Sequence, residues 1–161
     1  MSYPDFEEFI VSLNAQRVRY LIVGGYAVGF HARPRATKDI DVLVDPTPAN
    51  AARLRRALVE FLGAETPGIT IAKLTNPRTL LVLGVPPVRI DVLTSILGVA
   101  FAGAWKRRVD GRFGAVETHY LSLDDLIASK RAAGRLQDLA DLETLARVRE
   151  RLRGRPAKPT R

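Results

Sequence analysis

The spacing of apolar and polar residues divides the N-terminal part of the chain into short helices and strands. Apolar side chains recur at helical spacing in residues 5–15, which predicts an amphipathic helix. Residues 19–23 form an almost wholly apolar run that ends at two glycines, and this run predicts a short buried strand. A brief helix is predicted at 26–31, and Pro34 then interrupts the pattern and leaves a polar loop at 33–38.

The middle of the chain alternates in the same way. Residues 40–44 predict a second strand, and prolines separate it from a helix at 49–62, in which leucines lie four residues apart. Two further strands are predicted at 79–83 and 87–93, joined by a turn rich in glycine and proline.

The C-terminal third is predicted to contain a hairpin followed by two helices. Residues 106–118 include Asp110-Gly111, a pair typical of two-residue hairpin turns. Ser122 precedes a helical pattern and has an aspartate three residues later, which predicts a capped helix start. This helix is expected to end at Gly134, and a second one to follow at 136–152.

This order of elements predicts an α/β (α+β) fold, in which helices flank a mixed β-sheet and a helical pair lies at the C-terminus. A chain of 161 residues has about the length of one domain. We expect a core at 1–121, a helical cap of the same domain at 122–152, and a disordered basic tail at 153–161.

Composition limits the cellular compartments and the partners that are expected for the protein. The chain has no cysteine, which excludes disulfides and thiolate metal sites and suits a reducing cytoplasm. No stretch has the roughly 20 apolar residues of a membrane span, and the N-terminus lacks the pattern of a secretory signal. We therefore expect a cytoplasmic protein with no membrane partner. The net charge of +8 favours a phosphate-bearing partner only weakly, because arginines on solvated surfaces explain part of it.

Two carboxylates mark the start of the second predicted strand. Since strand side chains alternate, Asp39 and Asp41 share one face, while Ile40 points to the other. Neighbouring carboxylates raise each other's pKa unless a cation lies between them. Such hard oxygen ligands suit Mg²⁺, although two aspartates on the solvent face of an edge strand would give the same pattern.

A glycine pair lies between the first strand and the helix that follows it. Gly24 and Gly25 permit a tight turn, and the free N–H groups at a helix start attract anions. By itself the pair is a weak signal, since most such glycines only form turns. The loop that follows adds Arg35, Thr37 and Lys38, which could bind a triphosphate or an acceptor.

A third carboxylate occurs in the strand predicted at 87–93. Asp91 lies among apolar residues, and a charge buried in such a strand is costly unless it is paired or binds a metal. Pairing with Arg89 at the surface is one interpretation. A third carboxylate of a two-metal site is the other.

These elements resemble the nucleotidyltransferase superfamily that shares the DNA polymerase β core, and the core expected at 1–121 would be that core. The residues that carry this likeness are Gly24, Gly25, Arg35, Thr37, Asp39, Asp41 and Asp91. Within the superfamily, the chain is most similar to abortive-infection nucleotidyltransferase toxins and their short relatives. Their helical Lys…Arg…Asp-Leu-x-x-Asp-Leu signature resembles the stretch from Lys130 to Leu142.

The resemblance implies that a nucleoside monophosphate is transferred from an NTP to a hydroxyl of RNA, of a protein or of a small molecule. Asp39, Asp41 and Asp91 would be the catalytic residues and would hold Mg²⁺, with Mn²⁺ as the alternative. The implied nucleotide- and phosphate-binding residues are Gly24, Gly25, Arg35, Thr37, Lys38 and Lys130.

Several alternatives stay open at this point. Lys130 could equally lie beside the buried apolar face of its helix and extend its ammonium group away from it. The spacing of Asp138 and Asp141 favours a structural role for both in joining the last two helices. The aromatic residues Trp105, Phe101 and Phe113 could stack on a base or belong to the core. A cognate toxin or antitoxin partner fits the resemblance, as does a non-catalytic nucleotide- or RNA-binding module. Neither the NTP nor the acceptor can be read from the sequence.

Overall fold

The computed structural model describes residues 4–155, in which seven helices and six strands follow one another. Their bounds are α1 Pro4–Ala15, β1 Tyr20–Val23, α2 Gly24–His31, β2 Asp39–Val44, α3 Pro48–Leu62, α4 Ile71–Thr75, β3 Leu80–Val85, β4 Val88–Leu93, α5 Phe101–Lys106, β5 Val109–Phe113, β6 Val116–Tyr120, α6 Leu123–Ala133 and α7 Leu136–Arg153. No helix in this range is both long and apolar enough to cross a membrane.

All six strands belong to one mixed sheet with the order β3-β4-β2-β1-β6-β5. β1 and β2 run antiparallel, so the chain returns beside itself after α2, whereas β2 and β4 run parallel. The helical pair α6 and α7 follows the last strand. The mixed sheet and this pair confirm the α+β class predicted from the sequence.

The core lies mainly between the sheet and the helices α1 and α3. α3 begins where the hydroxyl of Thr47 accepts a hydrogen bond from the backbone N–H of Asn50, with Pro48 as its first residue. In this core, each large apolar side chain that is fully buried stabilises the fold by roughly 1.5–3 kcal/mol. The largest fully buried side chains are Tyr20, Phe6, Phe9, Ile10, Leu13, Leu21, Ile22, Ile40, Leu43, Leu54, Leu58 and Leu74.

The C-terminal hairpin is present, but its predicted turn is wrong. Phe113 pairs with Val116, so the turn lies at 114–115, and Gly111 lies inside β5. A Cβ on Gly111 would lie 2.9 Å from the Phe30 ring, which explains why a glycine stands there. The glycine makes room for an aromatic ring instead of turning the chain.

Two short helices were not predicted, and one helix begins earlier than expected. α4 and α5 have five and six residues, too few for a helical repeat to become visible. α2 begins at Gly24 instead of at residue 26, so both glycines belong to its first turn. The expected boundary at 121 stays a prediction, and residues 156–161 of the expected tail lie outside the described residues.

A buried ion-pair cluster holds α7 against α6. The Lys130 ammonium is buried and lies 3.2 Å from Oδ1 of Asp138 and 2.9 Å from Oδ2 of Asp141. Arg135, at the start of α7, donates from Nε to Asp138 at 2.8 Å. Asp141 is also 3.3 Å from the guanidinium of Arg35, which ties the 33–38 loop to the same cluster.

Asp138→Asn tests how much this cluster contributes to stability. Burial alone would raise the pKa of Asp138, but hydrogen bonds and charges from Arg135 and Lys130 hold it below the ordinary value. Because the pKa is lowered by folding, the contribution is present at neutral pH and is lost as pH falls through the folded-state pKa. We expect Asp138→Asn to lower the free energy of unfolding by about 3 kcal/mol at pH 7, measured by urea denaturation.

The difference from the wild type should shrink below about pH 4, where aspartates protonate. Asp124→Asn is the matched control, because Asp124 is exposed and lies 3.8 Å from Arg149. It should change the free energy of unfolding by less than about 0.5 kcal/mol. Equal losses in the two variants would contradict the structural role of Asp138.

Candidate active site

A cavity of about 680 Å³ opens where β1 ends and β2 begins. Its walls come from the start of α2, the 35–38 loop, β4 and the α6–α7 connection. All nine residues that the sequence singled out line this cavity, namely Gly24, Gly25, Arg35, Thr37, Lys38, Asp39, Asp41, Asp91 and Lys130. Residues far apart in the chain therefore converge on one space.

The three carboxylates lie side by side on two parallel strands. Asp41 is in register with Asp91, and Asp39 with Arg89, so all four side chains share one face of the sheet. Asp91 is only 8% exposed, while Asp39 and Asp41 are half-buried. The expectation that the carboxylates from two neighbouring strands meet is confirmed. Their catalytic role stays a prediction.

The electrostatics of Asp41 reflect this crowding. Burial, then the negative charges of Asp91 and Asp39, raise its pKa to about 6. The positive charges of Lys130 and Arg135 oppose the shift without cancelling it. Proximity of a cation would stabilise the ionised form of Asp41 and relieve the repulsion.

Arg89 occupies part of this face. Its Nε donates to Oδ1 of Asp91 at 2.7 Å, and its Nη2 to Oδ2 at 3.0 Å. The Arg89–Asp91 pair considered from the sequence is therefore present, but it lies in the cavity wall beside Asp41. The strand alternation already predicts Arg89 and Asp91 on one face, whereas the place of Arg89 in the cavity wall depends on the pairing of β4 with β2.

The donor set fits a divalent cation in part. Within residues 4–155, no group of three or more acidic or histidine side chains is arranged as a ready metal site. Both oxygens of Asp91 are engaged by Arg89. In the same range, the carboxylates of Asp39 and Asp41 have no hydrogen-bond or ion-pair partner, so their oxygens are available to a hard cation.

The glycine turn lies directly against Asp41. Gly24 has a φ of +63°, and a Cβ built on it would lie 2.2 Å from Oδ2 of Asp41. A Cβ on Gly25 would lie 3.0 Å from Oγ1 of Thr37. A side chain at 24 would fill the space beside Asp41, and one at 25 would fill the space beside the 33–38 loop. The glycine turn is thus in close contact both with Asp41 and with that loop.

The polar side chains of the 33–38 loop differ in how far they are already bonded within the chain, and so in how freely they could contact a ligand. The Arg35 guanidinium is tied to Asp141, yet its Nε is buried without a hydrogen-bond partner in the described chain. Thr37 donates to the backbone oxygen of Asp39 at 3.2 Å. Lys38 is exposed and has no ion-pair partner among the described residues, so it is the most available of the three.

The α6–α7 connection closes the cavity with further charged groups. Lys130 lines it while held by Asp138 and Asp141, so the role proposed for these aspartates in joining the helices agrees with their contacts. Arg135 also lines the cavity, and its side chain is 78% exposed. Arg135 was not among the site residues predicted from the sequence.

The aromatic residues considered for base stacking lie elsewhere. Phe113 is buried in the core, and Trp105 packs under the guanidinium of Arg108 at 4.0 Å. His31 bonds the backbone oxygen of Leu121, and His119 pairs with Asp110. No aromatic residue of the described chain lines the cavity.

Comparison with known proteins agrees with this geometry. None of the curated proteins matches the chain. A family model does match, across residues 5–150, and its description is nucleotidyltransferase of unknown function (DUF6036). The match includes every residue that lines the cavity, from the end of β1 to the start of α7. The chain therefore belongs to this nucleotidyltransferase family.

Proposed function

We propose that the protein transfers a nucleoside monophosphate from an NTP to a hydroxyl group, with Asp39, Asp41 and Asp91 as the catalytic carboxylates. The observation that carries the proposal is the register of Asp41 with Asp91 directly beside the Gly24 turn. This arrangement puts metal-type oxygen ligands next to a helix start that attracts phosphate.

In this proposal the chain's own groups bind and orient the triphosphate. Backbone N–H groups at Gly24 and Gly25 face the phosphates, and Lys38 and Arg135 supply positive charge from two sides of the cavity. Lys130 and Arg35 are held by buried carboxylates, so they contribute fixed charge more than flexible contacts.

The proposed reaction is an in-line displacement. The acceptor oxygen forms a bond to the α-phosphorus, the bond from that phosphorus to the bridging oxygen breaks, and pyrophosphate leaves with the electron pair. Asp91, the carboxylate farthest across the sheet from the glycine turn, draws the proton of the acceptor hydroxyl. Mg²⁺ or Mn²⁺, held by Asp39 and Asp41 and reached by Asp91, would stabilise the charge on the attacking and leaving oxygens.

In this proposal, Asp91 must lose its ion pair with Arg89 before it can act on the acceptor. A guanidinium bound through two hydrogen bonds satisfies both oxygens of Asp91. For Asp91 to take the acceptor proton, Arg89 has to turn toward another anion, and a triphosphate is the anion that the cavity would admit. The Arg89 side chain is 34% exposed, which leaves it room to turn.

A second candidate is a non-catalytic nucleotide- or RNA-binding module with the same fold. The Arg89–Asp91 pair is the observation that favours it, because a permanent pair would keep Asp91 out of the chemistry. A setting in a toxin–antitoxin or phage-defence system rests on the resemblance alone. A cognate partner encoded beside this gene would support it.

The first prediction of this proposal concerns Asp41→Asn. Incubation with each of four α-labelled NTPs, total tRNA and cell lysate should label a macromolecule. Since even outer-shell partners of a metal site contribute 10–100-fold, we expect a loss of more than about 100-fold on Asp41→Asn.

Asp45→Asn is the control, because Asp45 follows β2 directly but does not line the cavity. It should retain the wild-type rate. No incorporation by the wild type with either Mg²⁺ or Mn²⁺ would favour the binding module instead.

The second prediction concerns Gly24→Ala. The new methyl group would collide with Oδ2 of Asp41 and would strain a backbone with φ of +63° at a cost of about 1–3 kcal/mol. We expect a fall in kcat of at least about tenfold, because a catalytic group displaced by 1 Å costs about that or more.

Gly29→Ala is the matched control within α2, since its Cβ would meet only Pro34 at an ordinary 3.5 Å. It should keep full activity and gain slightly in stability. Wild-type kinetics in Gly24→Ala would show that the turn does not serve the site.

A further inference from the structure

The edge strand β3 extends the floor of the cavity beyond Asp91. Val82 is in register with Asp91, and Leu80 with Leu93, so Val82 and Leu80 share the face that carries the carboxylates. Leu80 lines the cavity and is 52% exposed, and Val82 is 45% exposed. The site is therefore bordered on this side by an open apolar strip.

The outer edge of β3 is also unprotected. Among the strands of residues 4–155, β3 lies at the end of the sheet and pairs only with β4. Its six residues, Leu80–Val85, include no charged side chain and no proline. Soluble proteins protect such edges with charges, prolines or a covering element, because the free N–H and C=O groups accept another strand. The edge of β3 is thus suited to pairing with an extended segment.

A second cavity of about 390 Å³ lies at the start of β3 and shares Leu80 with the first. Lys73 and Arg78 line it together with apolar side chains. Lys73 donates to the backbone oxygen of Gly68 at 2.8 Å. Within the described residues, neither cation has a carboxylate at ion-pair distance, so this pocket suits an acidic group.

The order of the strands indicates the side of the carboxylates from which an acceptor would approach. The glycine turn follows β1, and β2 and β4 separate β1 from β3. A triphosphate at the turn and an acceptor on β3 would therefore lie on opposite sides of Asp41 and Asp91. In-line attack requires the acceptor and the leaving group to lie on opposite sides of the α-phosphorus.

We propose that the acceptor is an extended segment of a partner protein, which adds as a strand to the edge of β3 and presents a serine, threonine or tyrosine hydroxyl to Asp91. This inference rests on the nucleotidyl transfer proposed above. The segment carries apolar residues opposite Leu80 and Val82 and an acidic residue that enters the pocket of Lys73 and Arg78. Backbone hydrogen bonds to β3 supply affinity, and the pockets supply specificity.

The chemistry of the surface favours a polypeptide over an RNA end. Single-stranded RNA is held largely by stacking of bases on aromatic side chains. In the described chain, neither cavity is lined by an aromatic residue. In the transfer, the side-chain oxygen bonds to the α-phosphorus, its proton passes to Asp91, and pyrophosphate leaves. The product is a phosphodiester between the nucleoside and the partner protein.

The test uses the full chain with labelled NTPs and two acceptor pools. One pool is random ten-residue peptides with a central Ser, Thr or Tyr, and the other is random RNA with a free 3′ hydroxyl. We expect label in the peptide pool, enriched in peptides with alternating apolar residues and an acidic residue. Binding of such a peptide should slow hydrogen exchange at the amides of 80–85.

The variant Lys73→Glu/Arg78→Glu should raise the KM of the enriched peptide at least tenfold and leave kcat and nucleotide affinity unchanged. Both side chains are exposed, so the fold should tolerate the change. Arg112→Glu/Arg151→Glu makes the same change in charge at exposed positions outside both cavities and should leave KM unchanged.

Four results would overturn the peptide acceptor: label in RNA alone, an unchanged KM in the double variant, no protection of β3, or label in neither pool. In the last case incubation with total tRNA and cell lysate separates the two proposals, because it offers other acceptors. Pyrophosphate release and label transfer there, both lost in Asp41→Asn, remove only the peptide acceptor. Absence of both there removes the nucleotidyl transfer as well.

Discussion

The structure depends on one costly arrangement, the packing of Asp41 and Asp91 beside each other on parallel strands. Two carboxylates at neighbouring positions of one sheet face repel each other, and burial adds to the cost, as the raised pKa of Asp41 shows. A fold selected for stability alone would place apolar residues there. The proposed function gives this cost a physical reason, because a bound cation would stabilise the charge of both carboxylates.

The surroundings of the carboxylates reduce that cost without removing it. Arg89 neutralises Asp91, and the positive charges of Lys130 and Arg135 on the helical pair act to lower the pKa of Asp41. Lys130 is in turn fixed by Asp138 and Asp141, so the charges that face the cavity are set by the packing of α7 on α6. This coupling gives the C-terminal helices a direct electrostatic effect on the site, although they lie far from the aspartates in the chain.

Much of this site could be predicted because its signals are local. Alternation along β2 predicts Asp39 and Asp41 on one face, and the glycines after β1 indicate the turn. That Asp91 joins the same face follows from the pairing of β2 with β4, which only the family resemblance implied. Contacts between distant segments gave no such signal. The Arg35–Asp141 pair depends on how α7 packs against a loop, and the edge position of β3 depends on strand order.

The hairpin turn was predicted at the wrong position for the same reason, since a contact between distant segments decides it. Asp110-Gly111 has the composition of a turn, but Gly111 is required by the ring of Phe30, which belongs to another element. Tertiary packing decided the role of that glycine, and local sequence could not reveal it. The short helices α4 and α5 escaped prediction because they have too few residues to show a period.

The proposed catalysis requires that this group of carboxylates binds a divalent cation, and the affinity for Mn²⁺ measures this property without any acceptor. Electron paramagnetic resonance reports the concentration of free Mn²⁺ as protein is added, with no NTP present that would itself chelate the metal. We predict saturable binding by the wild type and an affinity at least about tenfold lower for Asp39→Asn. Equal Mn²⁺ affinity in the two proteins, or no binding by either, would contradict it.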